Sequence, residues 1–180
     1  QSDGGALAMR QLGLAFVVVG LSVLSAGCTD PTIAKEQDSL GPEQAGVPRG
    51  PTHRPGQPCV HCHQSGGEGS PNFSIAGTIF QDKDRQLPID GALVSLVDSN
   101  GDSWSVRTNC AGNFYVTESE WQPQFPVWSS VSWSDIHVDM ETPIYRDGAC
   151  AGCHDLKAGP DSPGHIYVSE TPIAAPGGCR

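Results

Sequence analysis

The apolar positions of this chain fall into two patterns, and neither has a helical period. Residues 12 to 24 form one unbroken apolar run, Leu-Gly-Leu-Ala-Phe-Val-Val-Val-Gly-Leu-Ser-Val-Leu. From residue 73 to about 140 the apolar residues instead come in short groups rich in β-branched and aromatic side chains, which predict strands over 73–80, 92–97, 103–107, 114–117 and 127–133. Turn-forming clusters separate them: Leu87-Pro88-Ile89-Asp90-Gly91, Ser99-Asn100-Gly101-Asp102 and Ala111-Gly112-Asn113. Asn100-Gly101 between two such groups is a strong hairpin signal. The fold class expected is therefore mainly β, with a small β-sandwich over 73–140 between helix-poor segments at 59–72 and 141–180.

The N-terminal run has a different meaning. It follows Met9-Arg10, is shorter than the roughly 20 apolar residues a spanning helix needs, and is followed by small residues. This is the order of a secretory signal occupying 1–27, with Met9 as the expected start, and it places the protein outside the cytoplasm. The run ends in Leu24-Ser25-Ala26-Gly27-Cys28, which resembles the lipobox of bacterial lipoproteins. That resemblance implies lipidation of Cys28 and a periplasmic or cell-surface lipoprotein touching the membrane only through its anchor, with simple cleavage as the alternative. Between 28 and 58 stand Pro31, Pro42, Pro48, Pro51, Pro55 and Pro58 with little aliphatic periodicity. Such composition buries too little to offset ordering entropy, so it is read as a disordered tether, about 30 Å long as a coil.

About 120 residues remain, enough for one domain with one core. The formal charge is −10. A surface this acidic excludes nucleic acid and charge-driven binding to anionic lipid, and it permits a basic protein partner.

Two pentapeptides change the picture most: Cys59-Val60-His61-Cys62-His63 and Cys150-Ala151-Gly152-Cys153-His154. In a tight helical turn, residues three apart share a face, so two thiols so spaced reach the two vinyl groups of one porphyrin while the next His is carried under the iron. Both resemble the attachment motif of c-type cytochromes. The resemblance implies two covalent haem c groups, one on Cys59 and Cys62 and one on Cys150 and Cys153, with His63 and His154 as proximal ligands. A zinc ribbon is the rival metal reading, but it places roughly 15 to 20 residues between its Cys pairs, and here 87 separate Cys62 from Cys150. Structural disulfides and redox dithiols also use such pairs. Of seven Cys, one is assigned to lipid and four to haem; Cys110 and Cys179 are left as a candidate disulfide in an oxidising compartment, with a free Cys179 as the alternative.

Sixth ligands are sought among the remaining His and Met. His53, six residues before Cys59, is the candidate for the first haem. His165 is the candidate for the second, with Met140 as its rival. His61 is expected to point away from its own iron to the surface, and His137 to be exposed.

A second resemblance covers about 65 residues. Gly77-Thr78-Ile79-Phe80, Leu87 through Leu96, and Thr108-Asn109-Cys110-Ala111-Gly112-Asn113-Phe114-Tyr115-Val116 resemble the carboxypeptidase regulatory-like (transthyretin-like) sandwich module, with Cys110 in place of the usual polar residue. It implies a scaffold without catalytic residues. Trp104, Trp121, Trp128 and Trp133 are then core and strand-face residues rather than an electron path.

Together these features point to an exported dihaem c-type cytochrome that transfers electrons to and from redox partner proteins and is not an enzyme. Two rival readings stand beside it: a small haem enzyme of peroxidase type, and a non-haem interaction lipoprotein with structural Cys pairs. Chain order adds one geometric expectation. An odd number of up-and-down strands, seven in such a sandwich, places the motifs at opposite poles, so that electrons pass between molecules and head-to-tail self-association builds a haem relay.

Overall fold

The computed structural model describes residues 30–43, 47–175 and 178–179. The signal segment 1–27 and the lipidation candidate Cys28 lie outside the described residues. Among the described residues, no helix is long and apolar enough to cross a membrane.

The described chain is mainly β, with two sheets and one short helix, α1 (Pro31–Ser39). Eight strands follow: β1 (Phe73–Asp82), β2 (Leu93–Val97), β3 (Ser103–Arg107), β4 (Asn113–Thr117), β5 (Trp128–Trp133), β6 (Ile136–Asp139), β7 (Gly148–Ala149) and β8 (Ile166–Ser169). One sheet has the order β3-β2-β5-β6, every neighbour antiparallel. The other is built on β1, which pairs with β4 antiparallel over Phe73–Thr78, with β7 parallel at Ile75 and Ala76 on its other side, and with β8 parallel from Ile79 to Asp82.

The two sheets share one core. Val94, Leu96 and Val131 from the first sheet meet Ile75, Ile79, Phe114, Val116 and Val168 from the second. A fully buried aliphatic side chain of this kind contributes about 1.5–3 kcal/mol. The alternation in β2, with Val94 and Leu96 buried between more accessible neighbours, is that of a strand with one wet face. Nine of the ten residues of β1 are buried, as expected of a strand covered on both faces. Trp104, Trp121 and Trp133 pack against the core, but Trp128 is half exposed on β5.

The β2–β3 hairpin turns at Asp98–Gly101, where Gly101 takes φ +86°, a conformation that costs glycine nothing. Asp98 organises this turn. Its buried carboxylate accepts from the backbone N–H groups of Asn100 (2.9 Å), Asp102 (3.0 Å) and Gln124 (3.0 Å). These donors, Gln124 foremost, hold its carboxyl below the usual carboxylate range. A depressed folded pKa stabilises the fold above the unfolded value of about 3.9 and withdraws that support as pH falls through the folded value. Thermal melts between pH 6 and pH 2 are therefore expected to show a steeper acid loss of Tm in the native protein than in Asp98→Asn; parallel curves contradict this role.

Three sequence expectations are corrected. First, within 28–58 the described residues 30–43 and 47–58 are not a featureless tether. Asp30 caps α1 through Thr32 N–H (2.8 Å) with Pro31 at the first turn, and Gln37 reaches the His61 carbonyl oxygen (3.2 Å). The Pro-rich stretch after it lies on the β1–β4 sheet, where side chains satisfy its backbone: Asn109 and Asn113 donate to the Pro51 carbonyl, Asn113 also to that of His53, and Gly56 N–H donates to Thr78. Composition registers apolar burial but not this polar anchoring. Second, the segment 141–180 contributes β7 and β8 to the central sheet. Third, the motifs are not at opposite poles. The chain returns to β1 as a parallel neighbour instead of ending an up-and-down series, and both motifs reach the same strand.

Candidate functional site

The two C-x-x-C-H segments share no other residue, yet their backbones repeat in detail. Each forms a single 3-10 turn, η1 (Cys59–His61) and η2 (Cys150–Gly152). Cys62 N–H donates to the Cys59 carbonyl and Cys153 N–H to that of Cys150, both at 3.2 Å; the following His N–H groups return to the same carbonyls at 3.0 and 2.9 Å. The first thiol of each pair approaches the carbonyl two residues before it, Cys59 that of Gln57 and Cys150 that of Gly148.

The histidines repeat as well. His63 Nδ1 donates to the Pro71 carbonyl at 2.7 Å, and His154 Nδ1 donates to the Gly164 carbonyl at 3.0 Å. A ring held this way has its proton on Nδ1 and a lone pair on Nε2, which is how the outer hydrogen bond of a metal-ligating imidazole sets tautomer and basicity. The His63 ring is also stacked on Phe73, with centroids 4.0 Å apart and planes 7° apart, and a Cβ at Gly69 would lie 2.7 Å from it. The loop behind His154 is ordered by Ser162, whose hydroxyl accepts from Asp155 N–H (2.9 Å) and Gly164 N–H (3.1 Å).

The four motif thiols are not joined in disulfides. Although Cys59 and Cys150 keep some accessible surface, burial pushes Cys59 up to about 11 and Cys150 up to about 12, and the nearby Cys59 thiolate adds to the rise at Cys150. Cys62 is also raised, mainly by burial. In these three thiols burial disfavours the thiolate, the form in which a cysteine acts as a nucleophile. Among the described residues, no three His, Cys, Asp or Glu side chains converge on a point where a metal ion could be held. The two pairs thus do not pool their thiols as a zinc ribbon does. The donors present suit a group that brings four of its own ligands to iron and takes one imidazole from each motif: Cys59, Cys62 and His63 could hold one haem, and Cys150, Cys153 and His154 another.

The sixth-ligand candidates separate. His53 lies in the loop pinned by Asn109, Asn113 and Thr78, its Nδ1 engages the Gly50 carbonyl, and its ring centroid is 6.2 Å from that of His63. An imidazole nitrogen sits about 2 Å from a first-row metal, so two rings on opposite sides of one atom have centroids roughly 6 Å apart. His165 is placed differently. It follows Gly164, on the Nδ1 side of His154, and its own Nε2 is taken by the Asp82 carbonyl at 2.9 Å, with the ring edge-on to Phe80. The expectation that it caps the second haem is not supported by this arrangement. Met140 follows β6, where its N–H donates to the Ser129 carbonyl of β5 (3.0 Å), at the edge of the sheet that does not contain β7.

His137 is exposed, between Ser132 and Asp139. His61 departs from its expected surface position: its carbonyl is covered by Gln37 and Gln64, and its Nδ1 is buried without a partner. Cys110 and Cys179 are joined in a disulfide. Sequence reasoning missed Phe73, Asn109, Asn113 and the Pro71 and Gly164 carbonyls. Backbone acceptors carry no side-chain signature, and the two Asn read only as turn residues.

Comparison with family models, curated proteins and solved structures finds no match.

Proposed function

We propose that this chain is an exported dihaem c-type cytochrome, anchored by lipid at Cys28, that exchanges electrons with redox partner proteins. The observation that carries the reading is the repeated geometry: two unrelated segments take the same turn, with the same Nδ1 bond from the following His to a carbonyl downstream. Haem supplies one-electron chemistry when bound. The protein's part is attachment, ligation and burial. Cys59, Cys62, Cys150 and Cys153 would hold the two groups as thioethers, a net addition of each S–H across one vinyl group from which nothing leaves. Phe73 and Gly69 confine the His63 ring, and Ser162 orders the loop that holds His154. The acidic surface favours a basic partner and steers it at low ionic strength.

Intact mass of the denatured protein, purified from a host with the haem-attachment machinery, tests the reading. Two haem increments are expected, and an unmodified mass refutes it.

His53 would hold the iron of the first haem together with His63, whose ring centroid lies 6.2 Å away. His53→Ala should convert one haem of two from six-coordinate low spin to a form that binds carbon monoxide rapidly once reduced, leaving the haem count at two. Carbon monoxide kinetics unchanged from the native protein would remove His53 from the role.

A further inference from the structure

We propose that the two haems form one intramolecular pair, held together where both attachment turns meet the first half of β1, so that an electron passes between them within a single chain. This rests on the dihaem reading and adds a placement that chain order alone does not give.

The placement comes from strand register. β7 runs parallel to β1 with Ile75 opposite Gly148 and Ala76 opposite Ala149, so the next residue, Cys150, falls beside Gly77. A Cβ built on Gly77 would lie 2.9 Å from the Cys150 Cβ. The first motif meets the same stretch, since the His63 ring stacks on Phe73 and the Phe73 N–H donates to the His63 carbonyl at 2.8 Å. Phe73 and Gly77 are four residues apart, about 13 Å along a strand. The first turn also reaches the strand that leads into the second, because η1 packs on β7, the two residues before Cys150.

The consequence is a constraint on the cofactors. Each macrocycle would be tied by two thioethers to its own turn, and the first turn packs on the two residues that lead into the second. The body of the module does not stand between the anchors, so it cannot insulate one haem from the other. The exchange is balanced within the pair: one iron loses the electron that the other gains, and no proton or further reactant is needed. Adjacent charges in a partly buried site repel, so oxidising one iron raises the potential of the other. Partner proteins can then meet either haem, and transfer along the chain does not depend on head-to-tail assembly.

The test uses the full-length holoprotein as a dilute monomer. Haem is counted first, and fewer than two per chain would fail the dihaem reading itself. With two present, circular dichroism of the Soret band should show a couplet of opposite signs that survives dilution, and the fully ferric electron paramagnetic resonance spectrum should be broadened by coupling. Both signatures should vanish in Cys150→Ser/Cys153→Ser. The reciprocal Cys59→Ser/Cys62→Ser serves if the first variant fails to fold. Two haems per chain with a single-signed Soret band and resonance lines matching the sum of the two single-haem variants would overturn the pair. A couplet that fades on dilution would overturn it too, by placing the contact between molecules.

Discussion

Gly148→Ala should cost about 3 kcal/mol or more and release the second attachment turn from the sheet. A Cβ at this position would lie 2.0 Å from the Ser74 carbonyl oxygen and 2.5 Å from the Ile75 Cα. Both obstacles are backbone atoms of a buried strand, so no rotamer change relieves the clash. The strand that must give way is β7, which has two residues and is held by the Ile75 and Ala76 register. Cys150 follows immediately, so its position beside Gly77 goes with it. Denaturant melts should show the lost stability, and the isolated protein should hold the first haem at full occupancy with the second reduced. Full stability together with two haems would mean that β7 does not set the second motif.

Cys110→Ser/Cys179→Ser should lower stability by about 4 kcal/mol, from the entropy the unfolded chain regains when a loop of this size is opened. The disulfide spans 69 residues. It ties the C-terminal tail back to the turn before β4, alongside the Gly178 N–H bond to the Cys110 carbonyl (3.0 Å). The same tail gives the Ile173 carbonyl to Arg85 (3.0 Å) and the Ala175 carbonyl to Gln81 (3.1 Å) at the far end of β1. Neither cysteine belongs to a motif, so the haem count should stay at two while Tm falls by roughly 10 °C. A Tm unchanged in the double variant would show that the tail bonds suffice without the covalent link.

Five of the eight strands among the described residues are legible in the sequence because each carries its own β-branched or aromatic residues between turn signals. β6 is hidden by its short connection, where Ser134 turns at φ +54° without a glycine to announce it. β7 is a Gly-Ala pair with no propensity of its own, and it exists because β1 offers an edge to it. Parallel pairing of this kind is a tertiary event, and chain order alone therefore places the two motifs apart when the fold brings them together. The helix α1 is obscured by its surroundings. Asp30-Pro31 is a good helix start, but a Pro-rich composition over 30 residues outweighs it.

The site divides along the same line. Cys59, Cys62, His63, Cys150, Cys153 and His154 are legible because the covalent attachment proposed for them would demand a fixed spacing, and the turns that carry them are local. Sequence distance recommends His53 and His165 equally, and the fold treats them unequally. His53 is carried to His63 by a loop that Asn109, Asn113 and Thr78 pin down, whereas the chain between His154 and His165 curls so that Gly164 faces the wrong nitrogen for His165 to follow.

The most direct test of the account is a pyridine haemochrome spectrum of the purified holoprotein, quantified against peptide mass, before and after extraction with acidified acetone. A c-type spectrum corresponding to two haems per chain is expected, with colour that stays with the protein through extraction. A protein that is colourless, or that loses its colour to the solvent, would contradict it.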